Sequence, residues 1–224
     1  MKGIKLSLIA IMFFSTLLIT DSAEAARLKI GLLVFPGFLT SDVTAPLEVF
    51  GAATKKSWFS SYEVVVISAG KNKEVISEEG LRIIADKTIY DDLRLDVLIV
   101  PSAYEMKPFI KDKKLIAFIK KQSESASWMA SNCSGAFLLG EAGVLKGKKA
   151  TTWAGGEAGL RKAYPKIRVQ FNTNVVVDEK VITSNGGPVS YEAAFILLEK
   201  LSSKEYAKKI SELIQFNRLK LDFK

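Results

Sequence analysis

The 224-residue sequence has no histidine and a single cysteine, Cys133. Without an imidazole there can be no Ser-His-Asp or Cys-His triad and no histidine-ligated metal site. A lone cysteine excludes an internal disulfide, a thiolate zinc cluster and a thioredoxin-type dithiol. Internal repeats and low-complexity tracts are missing as well. What is present is ordinary globular material. With 48% hydrophobic and 25% charged residues, the chain is too apolar for a disordered protein and can bury one substantial core. The net charge of +8 is carried mostly by lysines scattered over Lys111 to Lys121, Lys146 to Lys149 and Lys204 to Lys209. No element interleaves arginine with aromatics, so a solvated basic surface is expected rather than a nucleic-acid interface. Attraction to anionic surfaces stays open.

The first 25 residues read differently from the rest. Lys2 and Lys5 precede an apolar and small-hydroxyl run, Leu6 to Thr20, and Ala23-Glu24-Ala25 gives a small-x-small ending. This is the pattern of a secretory signal peptide cut after Ala25. The competing reading is a membrane anchor, but the run is shorter than the roughly 20 apolar residues a span needs. The expected mature protein is therefore residues 26–224, one α/β domain, secreted or periplasmic, with no stable membrane span after cleavage. In an oxidising compartment an unpaired cysteine is either buried and inert or kept for its reactivity.

Continuous apolar runs at Leu28 to Phe35, Tyr62 to Ala69 and Leu95 to Val100 predict strands buried on both faces. A hairpin is expected over Glu74 to Ala85 and further strands over Ala126 to Ser131, Ile167 to Val177 and Val181 to Ser184. Helical spacing appears over Asp42 to Ala53, Phe109 to Gln122, Gly135 to Ala142, Tyr191 to Leu201 and Tyr206 to Leu219. The alternation predicts an α/β sandwich with a largely parallel central sheet.

Cys133 falls where the Ala126 to Ser131 strand meets the Gly135 helix, framed by the small residues Ser131 and Gly135. That is the pattern of a nucleophile elbow. Such a joint lifts the sulfur above the sheet and aims it at a helix N-terminus, which favours thiolate. Read blandly, it is a structural cysteine beside a helix. The Pro101-Ser102-Ala103 loop is either a plain strand-ending turn or a source of backbone N–H groups that join Ser134 in holding an oxyanion. Asp42 is either a helix N-cap or an acid/base group beside the thiol. Glu48 either faces water or joins the site.

Several strings together resemble the ThiJ/PfpI superfamily of glutamine-amidotransferase-like proteins. They are Val34-Phe35-Pro36-Gly37 leading to Asp42 and Pro46-Leu47-Glu48-Val49-Phe50, then Asp96 to Pro101, then Asn132-Cys133-Ser134-Gly135-Ala136-Phe137, then Ala150-Thr151-Thr152-Trp153, and finally Tyr164-Pro165 and Ile182 to Gly187. The resemblance spans roughly Leu28 to Leu201. It implies a flavodoxin-like three-layer sandwich, a homodimer, a small-molecule substrate or ligand, and no metal or organic cofactor. Protease-like members place His directly after the nucleophile, where this chain has Ser134. The branch resembling isonitrile hydratase has a short side chain there and an Asp in the first strand-to-helix segment, which Asp42 matches. Many members of that branch carry His after the Ala-Thr-Thr string. Trp153 stands here instead, which removes a polar group from the pocket wall and leaves the substrate open.

Three functions follow from these residues. In the first, Cys133 thiolate adds to an electrophilic carbon, N–H groups near Ser134, Ser102 and Ala103 hold the developing charge, and Asp42 moves the proton. By analogy with the hydratase, an isonitrile would give an N-substituted formamide. In the second, an acid-flanked, low-pKa thiol senses oxidants. In the third, the chain is a non-catalytic binding module that keeps the fold, as expected if the thiol pKa is at or above the free-cysteine value of about 8.5.

Overall fold

The computed structural model describes residues 27–56 and 62–219. The signal-peptide pattern of residues 1–25 lies outside them. Strand β1 (Leu28–Val34) leads into α1 (Thr40–Lys56), and β2 (Tyr62–Ser68) follows. Short strands β3 (Glu74–Ile76), β4 (Arg82–Ile84) and β5 (Lys87–Thr88) precede β6 (Val97–Val100). Next come α2 (Lys107–Ile110), α3 (Lys113–Ser125), β7 (Trp128–Asn132) and α4 (Gly135–Glu141). The chain continues with β8 (Lys149–Ala150), α5 (Glu157–Ala163), β9 (Arg168–Val169), β10 (Val175–Asp178) and β11 (Val181–Ser184). It closes with α6 (Val189–Leu201), α7 (Lys204–Leu213) and a short 3-10 turn over Phe216–Arg218.

Seven strands form one sheet in the order β10-β11-β7-β6-β1-β2-β5. Neighbours in it are parallel except the antiparallel β10–β11 pair. Helices α1, α6 and α7 cover one face, and α2, α3 and α4 cover the other. This is the expected three-layer sandwich with a largely parallel sheet. Strand β6 and the Ile30 to Val34 stretch of β1 are apolar throughout because helices dry both of their faces. Every residue of β6 and β11 is buried, as are Ile30 to Val34 of β1.

The expected element boundaries shift in three places, each with a local cause. The Phe109 to Gln122 helix is two helices, because Asp112 leaves helical geometry and caps α3 by accepting from Lys114 N–H at 2.9 Å and Leu115 N–H at 3.2 Å. The Ile167 to Val177 strand is interrupted between β9 and β10, where Asn172 takes a left-handed φ of 53°. The last helix stops at Leu213, and Gln215 turns left-handed with φ 61°. Helix α5, strands β5 and β8 and the separate α2 escaped the sequence reading because each is too short to show a period.

The chain moves from β1 outward to β2 and later returns to β6 on the other side of β1. The loops leaving the carboxyl ends of β1 and β6 therefore part company, and an open α/β sheet binds ligands in such a crevice. Gly135 makes the close packing there possible. A side-chain carbon on Gly135 would lie 2.5 Å from Val100 O and 2.7 Å from Pro101 O, both backbone atoms that cannot swing aside. Gly135→Ala is expected to destabilise the protein by about 1–3 kcal/mol. Urea denaturation would check it, and an unchanged midpoint would mean the elbow has slack that this geometry denies.

Candidate active site

Four loops converge at the carboxyl edge of the sheet: those after β1, β6, β7 and β11. Cys133 ends β7 with φ 51°, a left-handed conformation costly for a residue with a side chain. Its backbone is held in place on both sides. Cys133 N–H donates to Ser184 O at 2.9 Å, and Thr152 Oγ1 donates to Cys133 O at 2.8 Å. The strand-in, helix-out joint is thus the expected elbow. On the other side of the thiol, Gly186 (φ 79°) is indispensable. A side-chain carbon there would sit 2.4 Å from Cys133 Cβ and 2.9 Å from Asp42 Oδ1.

Asp42 is fully buried, and its carboxylate accepts four hydrogen bonds. Ser102 N–H and Ser102 Oγ–H donate to Oδ2 at 3.1 and 2.5 Å. Gly187 N–H and Ser190 Oγ–H donate to Oδ1, each at 3.0 Å. Asp42 is therefore no N-cap. Its side chain turns into the protein, and the start of α1 is served by Glu79, whose carboxylate takes Thr40 N–H at 3.0 Å. The backbone of Asp42 is tied down as well. Pro46 has no N–H to give the carbonyl four residues earlier, and Asn132 Nδ2 donates to that Asp42 carbonyl at 2.9 Å instead.

The sulfur borders a cavity of about 540 Å³ lined by Leu39, Ala103, Met106, Ile110, Phe137 and Trp153, with Ser134 beside Cys133 and Tyr104, Glu105, Lys107 and Lys111 also on its wall. Trp153 and Phe137 stack with ring centroids 5.5 Å apart, so part of the cavity wall is aromatic. Of the residues singled out from sequence, Cys133, Ser134, Ala103 and Trp153 meet in this cavity. Asp42 and Ser102 lie behind it, both fully buried. Glu48 is elsewhere, exposed and accepting from Tyr191 Oη at 2.6 Å.

Two expectations are corrected. First, Ser102 N–H is directed at Asp42 and Ala103 N–H at Met106 Sδ, 3.1 Å away, so neither points at an oxyanion as the loop's position suggested. Ser134 N–H remains, next to the sulfur. Second, the elbow does not lower the Cys133 pKa. Burial pushes the thiol up and the Asp42 charge adds to it, outweighing the Ser102 hydroxyl and the N–H and hydroxyl of Ser134. Helix α4, only seven residues long, brings a small dipole to bear.

Sequence reasoning missed Ser190, Asn132, Thr152 and Gly187. The Gly186-Gly187 pair was visible as part of a string, but only three-dimensional contact assigns it a role. Among the described residues no group of three or more His, Cys, Asp or Glu side chains is placed to hold a metal ion. No helix among them is long and apolar enough to cross a membrane.

A parallel-sheet sandwich with a cysteine at a strained strand–helix joint, backed by a sealed acid, defines a protein of the nucleophile-elbow class. The chain belongs to the DJ-1/PfpI family, whose pattern matches residues 28–200. It is 28% identical to isonitrile hydratase of Pseudomonas putida over 191 residues, 84% of this chain and 78% of the relative. It is 29% identical to protein DJ-1 homolog B of Arabidopsis thaliana over 153 residues, 66% of this chain but only 34% of that longer protein. The crystal structure of a ThiJ/PfpI family protein from Pseudomonas syringae superposes with a TM-score of 0.78, covering 88% of this chain and 78% of that one at 24% identity, a likeness that shows the fold.

Burial raises the Asp42 carboxyl pKa, against the opposing pull of its four donors. The folded protein thus holds this proton more tightly than the unfolded chain does. The stability it contributes is complete below the unfolded value of about 3.9 and is lost as pH climbs through the raised folded value. Relative to the non-titrating Asp42→Asn variant, wild-type unfolding free energy should fall with rising pH across that window, by up to about 1.4 kcal/mol per pH unit. Paired denaturation curves at several pH values would check this. A difference independent of pH would mean the carboxyl titrates in the ordinary range.

Proposed function

We propose that the protein is an enzyme in which Cys133 attacks a small electrophilic carbon carried on an apolar group, with isonitrile hydration as the reaction. One observation carries this reading: the only cysteine is held in a left-handed backbone conformation on the wall of a mostly apolar cavity, with a buried carboxylate behind it. Kinship with isonitrile hydratase supports the choice of substrate class. Thiolate addition to the terminal isonitrile carbon, followed by protonation of that carbon, gives a thioimidate. Water adds to the same carbon, and collapse expels the thiolate, leaving an N-substituted formamide. The net change is addition of one water, with no oxidation or reduction. The cavity's aromatic and aliphatic wall suits the substituent on nitrogen, and Ser134 N–H is placed to steady charge near the sulfur.

The raised thiol pKa favours a second reading over an oxidant sensor, that of a binding module which has kept the cavity and lost the chemistry. The two part company on one measurement. Incubation with alkyl isonitriles should yield an N-substituted formamide from the wild type, followed by proton NMR, that Cys133→Ser reduces to background. Equal, background-level signals from both proteins would leave only the binding module.

We further propose that the protein is exported, secreted or periplasmic, and works as a homodimer. The Met1 to Ala25 pattern supports export, and the family resemblance alone supports the dimer. N-terminal sequencing of protein recovered outside the cytoplasm should begin at Ala26, and an intact Met1 in that fraction would contradict cleavage.

A further inference from the structure

The nucleophile and the acid are separated by one hydroxyl. Ser102 is fully buried, and its Oγ lies 2.5 Å from Asp42 Oδ2. A side-chain carbon on Gly186 would lie 2.4 Å from Cys133 Cβ and 2.9 Å from Asp42 Oδ1, so thiol and acid share one tight space, and the Ser102 hydroxyl acts on the thiol there as a hydrogen-bond partner. Asp42 has no exposed surface and does not line the cavity. Both of its oxygens are occupied by Ser102, Gly187 and Ser190, and the thiol is not among these donors. With no histidine anywhere in the sequence, the usual carrier of a cysteine's proton is missing.

We propose that Ser102 Oγ is a proton relay that connects the Cys133 thiol to the Asp42 carboxylate. The inference rests on the reading of Cys133 as the nucleophile. At rest the thiol keeps its proton, and Ser102 O–H donates to Asp42 Oδ2. On activation the Ser102 O–H bond breaks as its proton bonds to Asp42 Oδ2. The S–H bond breaks as its proton bonds to Ser102 Oγ, and sulfur keeps the electron pair. The result is a thiolate, a serine hydroxyl that now donates to sulfur, and a neutral acid that donates to Ser102 Oγ. One negative charge has moved from carboxylate to sulfur. After addition to substrate, the Ser102 proton goes to the carbanionic carbon and is replaced by the one held on Asp42.

Two acids this close cannot both ionise cheaply, so a charge on either one raises the cost of a charge on the other. A thiol that bulk solvent ionises only at high pH thereby becomes a nucleophile by internal exchange.

Because Cys133 is the only cysteine, alkylation by iodoacetamide reports on this sulfur alone. In the full chain the rate is expected to level off at low pH, where the internally formed thiolate reacts, and to rise again at high pH as the thiol ionises to solvent. Ser102→Ala should lower the plateau roughly tenfold or more. It takes a donor from sulfur, while Asp42 keeps three, Ser102 N–H included. Asp42→Asn should abolish the plateau, and Ser102→Thr should restore it. Thermal melts establish that each variant is folded, and Ser102→Gly tests the same hydroxyl if the alanine variant is not. A wild-type rate that falls about tenfold per pH unit with no plateau would overturn the relay. So would a plateau unchanged in folded Ser102→Ala, or one missing from folded Ser102→Thr. Alkylation needs no substrate, so failure of isonitrile turnover and failure of the relay show up separately.

Discussion

A carboxylate sealed from water is the constraint on which this structure turns. Leaving Asp42 without partners in the interior would cost several kcal/mol, so the surrounding chain has to supply oriented donors. It does so from two distant segments, the loop after β6 and the turn that enters α6. Those segments lie 60 and about 145 residues further along the chain. The acid therefore reports on assembly of the whole edge. Its four donors reach it only when β6 lies beside β1 and α6 is seated against α1.

The same demand explains the unusual backbone around the thiol. Gly186 and Gly187 both take left-handed φ, at 79° and 58°, so that the turn can pass between Cys133 and Asp42 and still deliver an N–H to the acid. Cys133 accepts a strained conformation of its own, paid back by hydrogen bonds to its N–H and carbonyl. Burial and the neighbouring Asp42 charge outweigh the donors around the sulfur, which accounts for a thiol whose pKa is raised although it sits at an elbow.

The architecture was legible because continuous apolar strands and amphipathic helices carry clear periods. Most of Leu28 to Phe35, Tyr62 to Ala69 and Leu95 to Val100 is buried between helical layers, and the β-branched, Gly- and Pro-bounded runs read as strands for that reason. Cys133 stood out because small neighbours on both sides of a strand–helix joint need a reason, and the Gly135 contacts supply it. The polar half of the site was harder. Asp42 looks like any acid near the start of a helix, and what sets it apart are partners far away in sequence. The oxyanion role expected of the Ser102 and Ala103 N–H groups failed for a related reason. Backbone direction after a strand is fixed by what the loop packs against, here Asp42 and the Met106 thioether, and a single sequence does not reveal that.

Pro46 has a longer reach than its place in the middle of α1 suggests. By denying the Asp42 carbonyl its helical donor, it hands that carbonyl to Asn132, the residue covalently next to Cys133. Cys133 and Asp42 are thus braced to each other through main chain as well as side chain. Tyr104, Lys107 and Lys111 line the same cavity and take no part in that brace. Substitutions on that rim would reshape the cavity and leave the spacing of Cys133 and Asp42 as it is.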